Sequence, residues 1–196
     1  MEVSDEIISK SIDDYINRKI YVSLSLDDLQ SLSDTEIEGA IIDHITECKV
    51  KDNYKKEYKI VKSLSKGMQN VYATWWLEAE VNNWGFNQYF YNSTGQFAEE
   101  ARDWYAAMWA EKMAQIVDSA IQTLLSEQDL FIKTKKSWTL EAFSDSYKET
   151  KLGECDNKFY EIEKEISNLR LIYIRNNLWE FITENNWKIK TWWKFW

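Results

Sequence analysis

Apolar side chains recur every three to four residues along most of this chain, and no proline interrupts them. That spacing puts the apolar residues on one face of an α-helix, whereas the alternation typical of a strand is confined to residues 21–26. Apolar residues make up 44% of the 196 positions, which is enough for a packed core in one domain. We therefore predict an all-α, single-domain bundle of roughly eight to ten helices.

The clearest helices are predicted in the second half of the chain. A stripe that begins at Phe97 and ends at Met108 follows helical spacing throughout. Helices are also predicted over residues 67–82 and 166–183, with a loop near residues 131–138. No linker rich in proline or serine divides the chain. The single domain is therefore described in three parts: an N-terminal helical segment (1–66), a helical core (67–183) and an aromatic tail (184–196).

Negative charge is concentrated at the start of the chain. The formal net charge is -9, and residues 1–48 hold 12 acidic and 3 basic side chains, which accounts for the whole excess. Residues 49–66 then carry seven lysines and two acids. Because nucleic-acid phosphates and anionic membranes repel an acidic protein, neither is expected as a direct partner. The expected partner is a basic protein, such as a DNA-binding regulator or a toxin.

Acidic side chains of the N-terminal segment are the candidate binding residues. An array of carboxylates can imitate phosphates and steer a basic surface into contact. A run of charge is also common on an ordinary solvated face, so both interpretations stay open. The predicted acidic face consists of Asp13, Asp14, Asp27, Asp28, Asp34, Glu36 and Glu38.

The most distinctive stretch, residues 80–92, reads Glu-Val-Asn-Asn-Trp-Gly-Phe-Asn-Gln-Tyr-Phe-Tyr-Asn. It resembles the signature E-x-N-N-G-G-F-x-Q-Y-F-x-N of a bacterial family catalogued as domain of unknown function 4375, which includes DNA-mimic protein 19. The likeness continues through residues 111–125, 156–160 and 173–176, and so covers roughly residues 67–181. The resemblance implies an all-α fold. It also implies a dimer whose carboxylates imitate DNA phosphates and occupy a transcription factor.

Two tryptophans depart from the family pattern, in which glycine is usual at both positions. Trp84 stands within the signature, and Trp109 precedes Ala110. Glycine is usually kept where φ is positive or where backbones approach closely, and tryptophan suits neither situation. Either these turns differ in this protein, or the tryptophans come from UGA codons that the source reads as glycine. The ratio of 11 tryptophans to 5 glycines fits the second hypothesis.

The polar residues of the signature admit two interpretations. They could form a ligand or partner site, or they could form a buried network that fixes a helix junction by bonding loop backbone. The structural interpretation is favoured because asparagine and glutamine are poor acid–base catalysts. The signature residues are Glu80, Asn82, Asn83, Gly85, Phe86, Gln88, Tyr89 and Asn92.

No catalytic group, metal site or cofactor motif is recognisable in the sequence. His44 is the only histidine and falls beside the apolar stripe of a predicted helix, so we interpret it as a packing residue rather than a metal ligand or a triad member. Phosphate-binding glycine loops and the nucleophile motif G-x-S-x-G are missing. The chain is therefore predicted not to be an enzyme and to need no cofactor.

Three functions remain open at this point. The first is a non-catalytic protein-binding protein, a DNA mimic that occupies a basic DNA-binding partner through its acidic face and forms a homodimer. The second is an immunity protein that neutralises a cognate toxin. The third is an enzyme with an unrecognised site around residues 80–89. An acidic N-terminus, short apolar runs and two cysteines without CxxC spacing indicate a cytoplasmic protein.

Overall fold

The computed structural model describes residues 5–137, 139–166 and 168–184. Within these ranges the chain forms helices and short turns and no strand, which confirms the predicted all-α single domain. None of the helices described is long and apolar enough to cross a bilayer. The eleven α-helices of this part of the chain are α1 (Asp5–Ile16), α2 (Leu26–Ser31), α3 (Ile37–Asp43), α4 (Glu57–Lys62), α5 (Lys66–Tyr91), α6 (Ala98–Ala107), α7 (Glu111–Ser126), α8 (Gln128–Ser137), α9 (Leu140–Glu149), α10 (Leu152–Ile166) and α11 (Leu169–Asn176).

The core is built around α5, which packs against α6 and α10, while α7 packs against both of those helices. Ser65 begins α5 as its N-cap, because its hydroxyl accepts a hydrogen bond from the N–H of Met68. The apolar stripe predicted from Phe97 onwards is buried, with Trp104 and Tyr105 almost inaccessible to solvent. This arrangement fixes the position of the signature, since residues 80–91 lie in the second half of α5 and Asn92 is its C-cap.

Two stretches differ from the predicted helix boundaries. The loop predicted near residues 131–138 is wrong up to Ser137, because α8 occupies this stretch and packs against α9. Its lysines have good helix propensity and outweigh the weak apolar pattern. The single helix predicted over residues 166–183 is also wrong. Helix α10 ends at Ile166, and α11 and a 3-10 turn, Leu178–Phe181, follow it. Asn168 and Asn177 stand at the two interruptions, where asparagine competes for backbone hydrogen bonds.

The N-terminal segment covers one side of the core. Helix α3 runs into a π-helical turn, His44–Val50, and both present buried isoleucines to the core. His44 is fully buried and its Nδ1–H donates to the carbonyl of Tyr21 at 2.7 Å. Burial lowers the pKa of His44, so the ring is neutral and acts as a packing residue, as predicted.

Helix α1 carries large apolar side chains that the rest of the described chain does not cover. Ile12 is 52% exposed and Ile16 is 67% exposed. Tyr15 is also exposed, and its ring stacks under the guanidinium of Arg18 at 3.8 Å. At the other end of the chain, the predicted aromatic tail lies outside the described residues except for Glu184.

Candidate functional site

The signature lies across a break in α5. Gly85 has φ 72° and ψ -179°, a conformation that is essentially restricted to glycine. A Cβ atom at Gly85 would also overlap the carboxylate of Asp156. The glycine therefore lets the backbone turn and lets a side chain from α10 approach the main chain.

Side chains of α10 satisfy the backbone groups that the break leaves without helical partners. Oδ1 of Asp156 accepts a hydrogen bond from the N–H of Phe86 at 2.7 Å. One turn later, the hydroxyl of Tyr160 donates to the carbonyl of Val81 at 2.7 Å. Burial raises the pKa of Asp156, although the hydrogen bond from Phe86 favours its ionised form. Helix α10 thus ends one section of α5 and starts the next.

A carboxylate bridges the two sections of α5. Glu80 precedes the break, and its Oε2 accepts hydrogen bonds from Gln88 at 2.5 Å and from Asn92 at 2.8 Å, both beyond the break. The neighbouring amides bond outward to other helices. Nδ2 of Asn82 donates to Glu163 at 2.5 Å, and Nδ2 of Asn87 donates to Ser146 at 2.8 Å.

These contacts account for six of the eight signature residues, and burial of the ring accounts for Tyr89. Glu80, Gln88 and Asn92 form one network, Asn82 bonds to α10, and Gly85 and Phe86 form the break. Phe86 and Tyr89 have no exposed surface. Asn83 is exposed and has no hydrogen bond from its side chain to any described residue. The geometry therefore favours the structural interpretation, in which the signature fixes a helix junction.

The predicted acidic residues do not share one environment. Asp13, Asp14 and Asp27 are exposed, and none forms an ion pair with a described residue. Asp28 and Glu36 cap local turns, because their carboxylates accept the N–H groups of Ser25 at 3.1 Å and Ser33 at 3.0 Å. Hydrogen bonds from those serines lower the pKa of both carboxylates.

The remaining two acids hold the N-terminal segment on α11. Asp34 pairs with Arg175 at 2.7 Å, and Glu38 pairs with Arg170 at 2.5 Å. The Arg170 side chain is only 7% exposed and also pairs with Glu78 of α5 at 2.9 Å. Burial alone would lower the pKa of Arg170, but the two carboxylates outweigh it and raise that pKa. Arg170 thus remains charged and joins three helices.

Sequence reasoning did not assign a role to the residues that support these contacts. Asp156, Tyr160 and Arg175 lie within the resembling segments, so their positions carried a signal that was not used. Arg170 stands between Leu169 and Leu171 in an otherwise apolar run. A lone arginine in such a run indicates a buried ion pair, since a buried charge needs a partner.

The two unusual tryptophans occupy different backbone conformations. Trp84 has φ -149° and ψ 29°, so its φ lies outside the left-handed region, and the adjacent Gly85 has the positive φ. Trp109 has φ 60°, in the left-handed region that favours glycine, and its side chain is 86% exposed. The backbone therefore favours glycine at position 109 and not at position 84.

Comparison of the sequence with models of known protein families identifies one family. The family model described as DMP19-like protein matches residues 62–177, more than half of the chain. The chain belongs to the DMP19-like protein family. This result confirms the resemblance inferred from residues 80–92, whereas no curated protein and no solved structure matches the chain. The match in this DMP19-like protein includes the broken helix α5 and its supporting helix α10, but not the acidic residues of the N-terminal segment.

Proposed function

We propose that this DMP19-like protein is a non-catalytic binding protein that acts as a DNA mimic, occupying a basic DNA-binding partner through its acidic face. The main support is the concentration of the whole net charge of -9 in residues 1–48, on a segment docked to the family core. Family membership is consistent with this role. Among the described residues, no group of three or more acidic, histidine or cysteine side chains is placed to hold a metal ion.

Only some of the seven predicted carboxylates are available to a partner. Asp28, Asp34, Glu36 and Glu38 already accept hydrogen bonds or ion pairs within the chain. Asp13, Asp14 and Asp27 are exposed and lack such contacts with the described residues, so a partner can pair with them without disrupting the fold. Charges of this kind speed association and make it sensitive to salt.

Charge reversal tests the proposal. The triple variant Asp13→Lys, Asp14→Lys and Asp27→Lys changes the exposed carboxylates only. We expect its affinity for a partner captured from the native lysate to fall by about tenfold or more, which corresponds to about 1.4 kcal/mol. A captured partner should bind DNA by itself, and duplex DNA should displace it from this protein.

A matched control reverses the charge of three exposed glutamates near the other end of the chain. Glu149→Lys, Glu161→Lys and Glu165→Lys give the same change in net charge on α9 and α10. We expect capture by this variant to equal that of the wild type. If both triple variants capture the partner equally weakly, the effect comes from net charge alone. Undiminished capture by the first variant would contradict the proposal that the acidic face binds the partner.

The proposal also includes a cytoplasmic location and a homodimer, both carried over from the sequence. Sedimentation of the full chain at two concentrations tests the homodimer, because a dimer of moderate affinity dissociates on dilution. A sedimentation coefficient of a monomer at every concentration would remove this part of the proposal.

A further inference from the structure

A groove separates the N-terminal segment from the long helix α5. Its walls include Gly39 of α3 and Lys51 on one side, and Trp75 of α5 and Thr94 on the other. This N-terminal groove encloses about 630 Å³, a volume typical of small-molecule sites. The three exposed carboxylates proposed for partner binding do not line it, so the groove is a separate surface.

The N-terminal groove carries an excess of negative charge. Five carboxylates and two basic side chains line it. One of the basic side chains, Arg18, pairs with Asp43 at 2.8 Å and with Glu47 at 3.2 Å. The other basic side chain is Lys51. The other carboxylates form no ion pair with a described residue; they are Asp52, Glu57 and Glu80.

Glu57 is the most deeply buried of the five carboxylates, since it is only 2% exposed. Its Oε1 accepts a hydrogen bond from the hydroxyl of Tyr72 at 2.7 Å, and burial together with this carboxylate raises the pKa of Tyr72, which stays protonated. Its Oε2 is buried without a hydrogen-bond partner among the described residues. A buried carboxylate oxygen without a partner is costly unless something else supplies a donor.

A second polar group of the groove is in the same situation. Thr94 is 5% exposed, and its Oγ1 has no hydrogen-bond partner within the described part of the chain. Buried polar groups in folded proteins are nearly always bonded. The indole N–H of Trp76 lines the same groove and also has no hydrogen-bond partner among the described residues, so it is free to donate to an acceptor. The two buried oxygens, on Glu57 and Thr94, indicate a ligand that brings hydrogen-bond donors.

Aromatic rings complete the lining and narrow the class of ligand. Trp75 and Trp76 are half-buried in the groove, with ring centroids 5.0 Å apart and planes at 85°. The faces of tryptophan rings attract cations. A metal ion is a poor fit because the described residues contain no group of three ligands for one. Carboxylates beside tryptophan faces suit an organic cation instead.

We propose that the N-terminal groove binds an alkylguanidinium or alkylammonium group. The cation pairs with Oε2 of Glu57, donates a hydrogen bond to Oγ1 of Thr94 and stacks on Trp75. It comes either from a free small molecule or from an arginine or lysine side chain of a protein. In the second case the inference rests on the proposed function, because that protein is the basic partner.

Calorimetric titration of the full-length protein with agmatine, a small alkylguanidinium, tests this inference. We expect saturable binding that weakens about tenfold or more in Glu57→Gln and in Trp75→Leu. Glutamine keeps an acceptor for the hydroxyl of Tyr72, so Glu57→Gln should fold, and its circular dichroism and Tm check this. Glu161→Gln, at an exposed position outside the groove, is the matched control and should bind like the wild type.

Two further probes identify the chemistry and the source. Butylurea has an uncharged urea in place of the guanidinium of agmatine and lacks its terminal ammonium, so it carries neither cationic group, and we expect no binding. Blocked arginine, with its amino and carboxyl groups converted to amides, represents a side chain of a protein. Binding of both agmatine and blocked arginine favours a protein side chain, whereas binding of agmatine alone favours a free cation.

The inference is overturned if neither cation binds at millimolar concentration, or if Glu57→Gln binds them as well as the wild type does. Its failure can be separated from failure of the acidic-face proposal. The triple variant at Asp13, Asp14 and Asp27 leaves the groove intact and should still bind agmatine.

Discussion

The carboxylate of Asp156 in α10 accepts a hydrogen bond from the N–H of Phe86, 2.7 Å away, immediately after the break in α5. A side chain from one helix therefore caps a section of another helix that is 70 residues distant in sequence. The family signature and its partner segment are joined at this contact, which explains why both segments of sequence are distinctive.

Replacement of Asp156 tests the strength of this cap. Asp156→Ala leaves the N–H of Phe86 without an acceptor, and we expect the free energy of unfolding to fall by about 1–3 kcal/mol. Asp156→Asn keeps an oxygen acceptor and should cost less than half as much. Urea denaturation of the three proteins, followed by circular dichroism, measures both differences; equal losses would show that the hydrogen bond is unimportant.

The same variants predict a pH dependence. Because burial raises the pKa of Asp156 in the folded protein, its contribution to stability is full below the unfolded value of 3.8 and is lost as pH rises through the folded pKa. Asp156→Asn cannot titrate, so its stability relative to the wild type should improve as pH rises from about 4. Unfolding curves at a series of pH values check this trend, and a constant difference would contradict it.

Gly85→Ala should be among the most destabilising substitutions in the chain. It places a Cβ at φ 72° and against the carboxylate of Asp156, so we expect a loss of about 3 kcal/mol or more. Gly153→Ala is the control, because Gly153 lies in α10 with no atom near the added Cβ. That variant should gain about 0.4–1 kcal/mol. Similar Tm values for the two variants would argue against the strained turn.

The two tryptophans should respond in opposite directions to replacement by glycine. Trp109→Gly relieves a positive φ and exposes no core, so we expect a gain of about 1 kcal/mol in the free energy of unfolding. Trp84→Gly relieves nothing and should lose about 0.5–1 kcal/mol through backbone entropy. Thermal unfolding of both variants measures the difference, and stabilisation at position 84 would contradict the assigned backbone conformation.

His44 should make the protein sensitive to mild acid. Its pKa is lowered in the folded state by burial, so its contribution to stability is full above the unfolded value of about 6.5 and is lost as pH falls towards the folded pKa. His44→Asn, which keeps a donor for the carbonyl of Tyr21, removes this titration. The stability difference between the two proteins should therefore shrink from pH 7 to pH 5. Parallel stability curves would exclude His44 as the titrating group.

Periodicity was sufficient to predict the fold class because the core helices have clear apolar stripes, as between Phe97 and Met108. It failed in α8, where the apolar pattern is weak but the lysines have good helix propensity. Composition identified the acidic segment but not the separate roles of its members. Arg170 and Arg175 become partners of Glu38 and Asp34 only after α11 meets the N-terminal segment, and local sequence carries no record of such long-range pairs.

The position of Arg170 bears on how this protein can be divided. It lies inside the range matched by the family, residues 62–177, but its partner Glu38 lies in the segment before that range. A fragment cut at the family boundaries would lose Glu38 and keep Glu78 as a carboxylate partner of Arg170, and removing one partner of a buried ion pair is strongly destabilising. Expression fragments, fusion points and domain swaps should therefore be designed to include α3 together with the family-matched region.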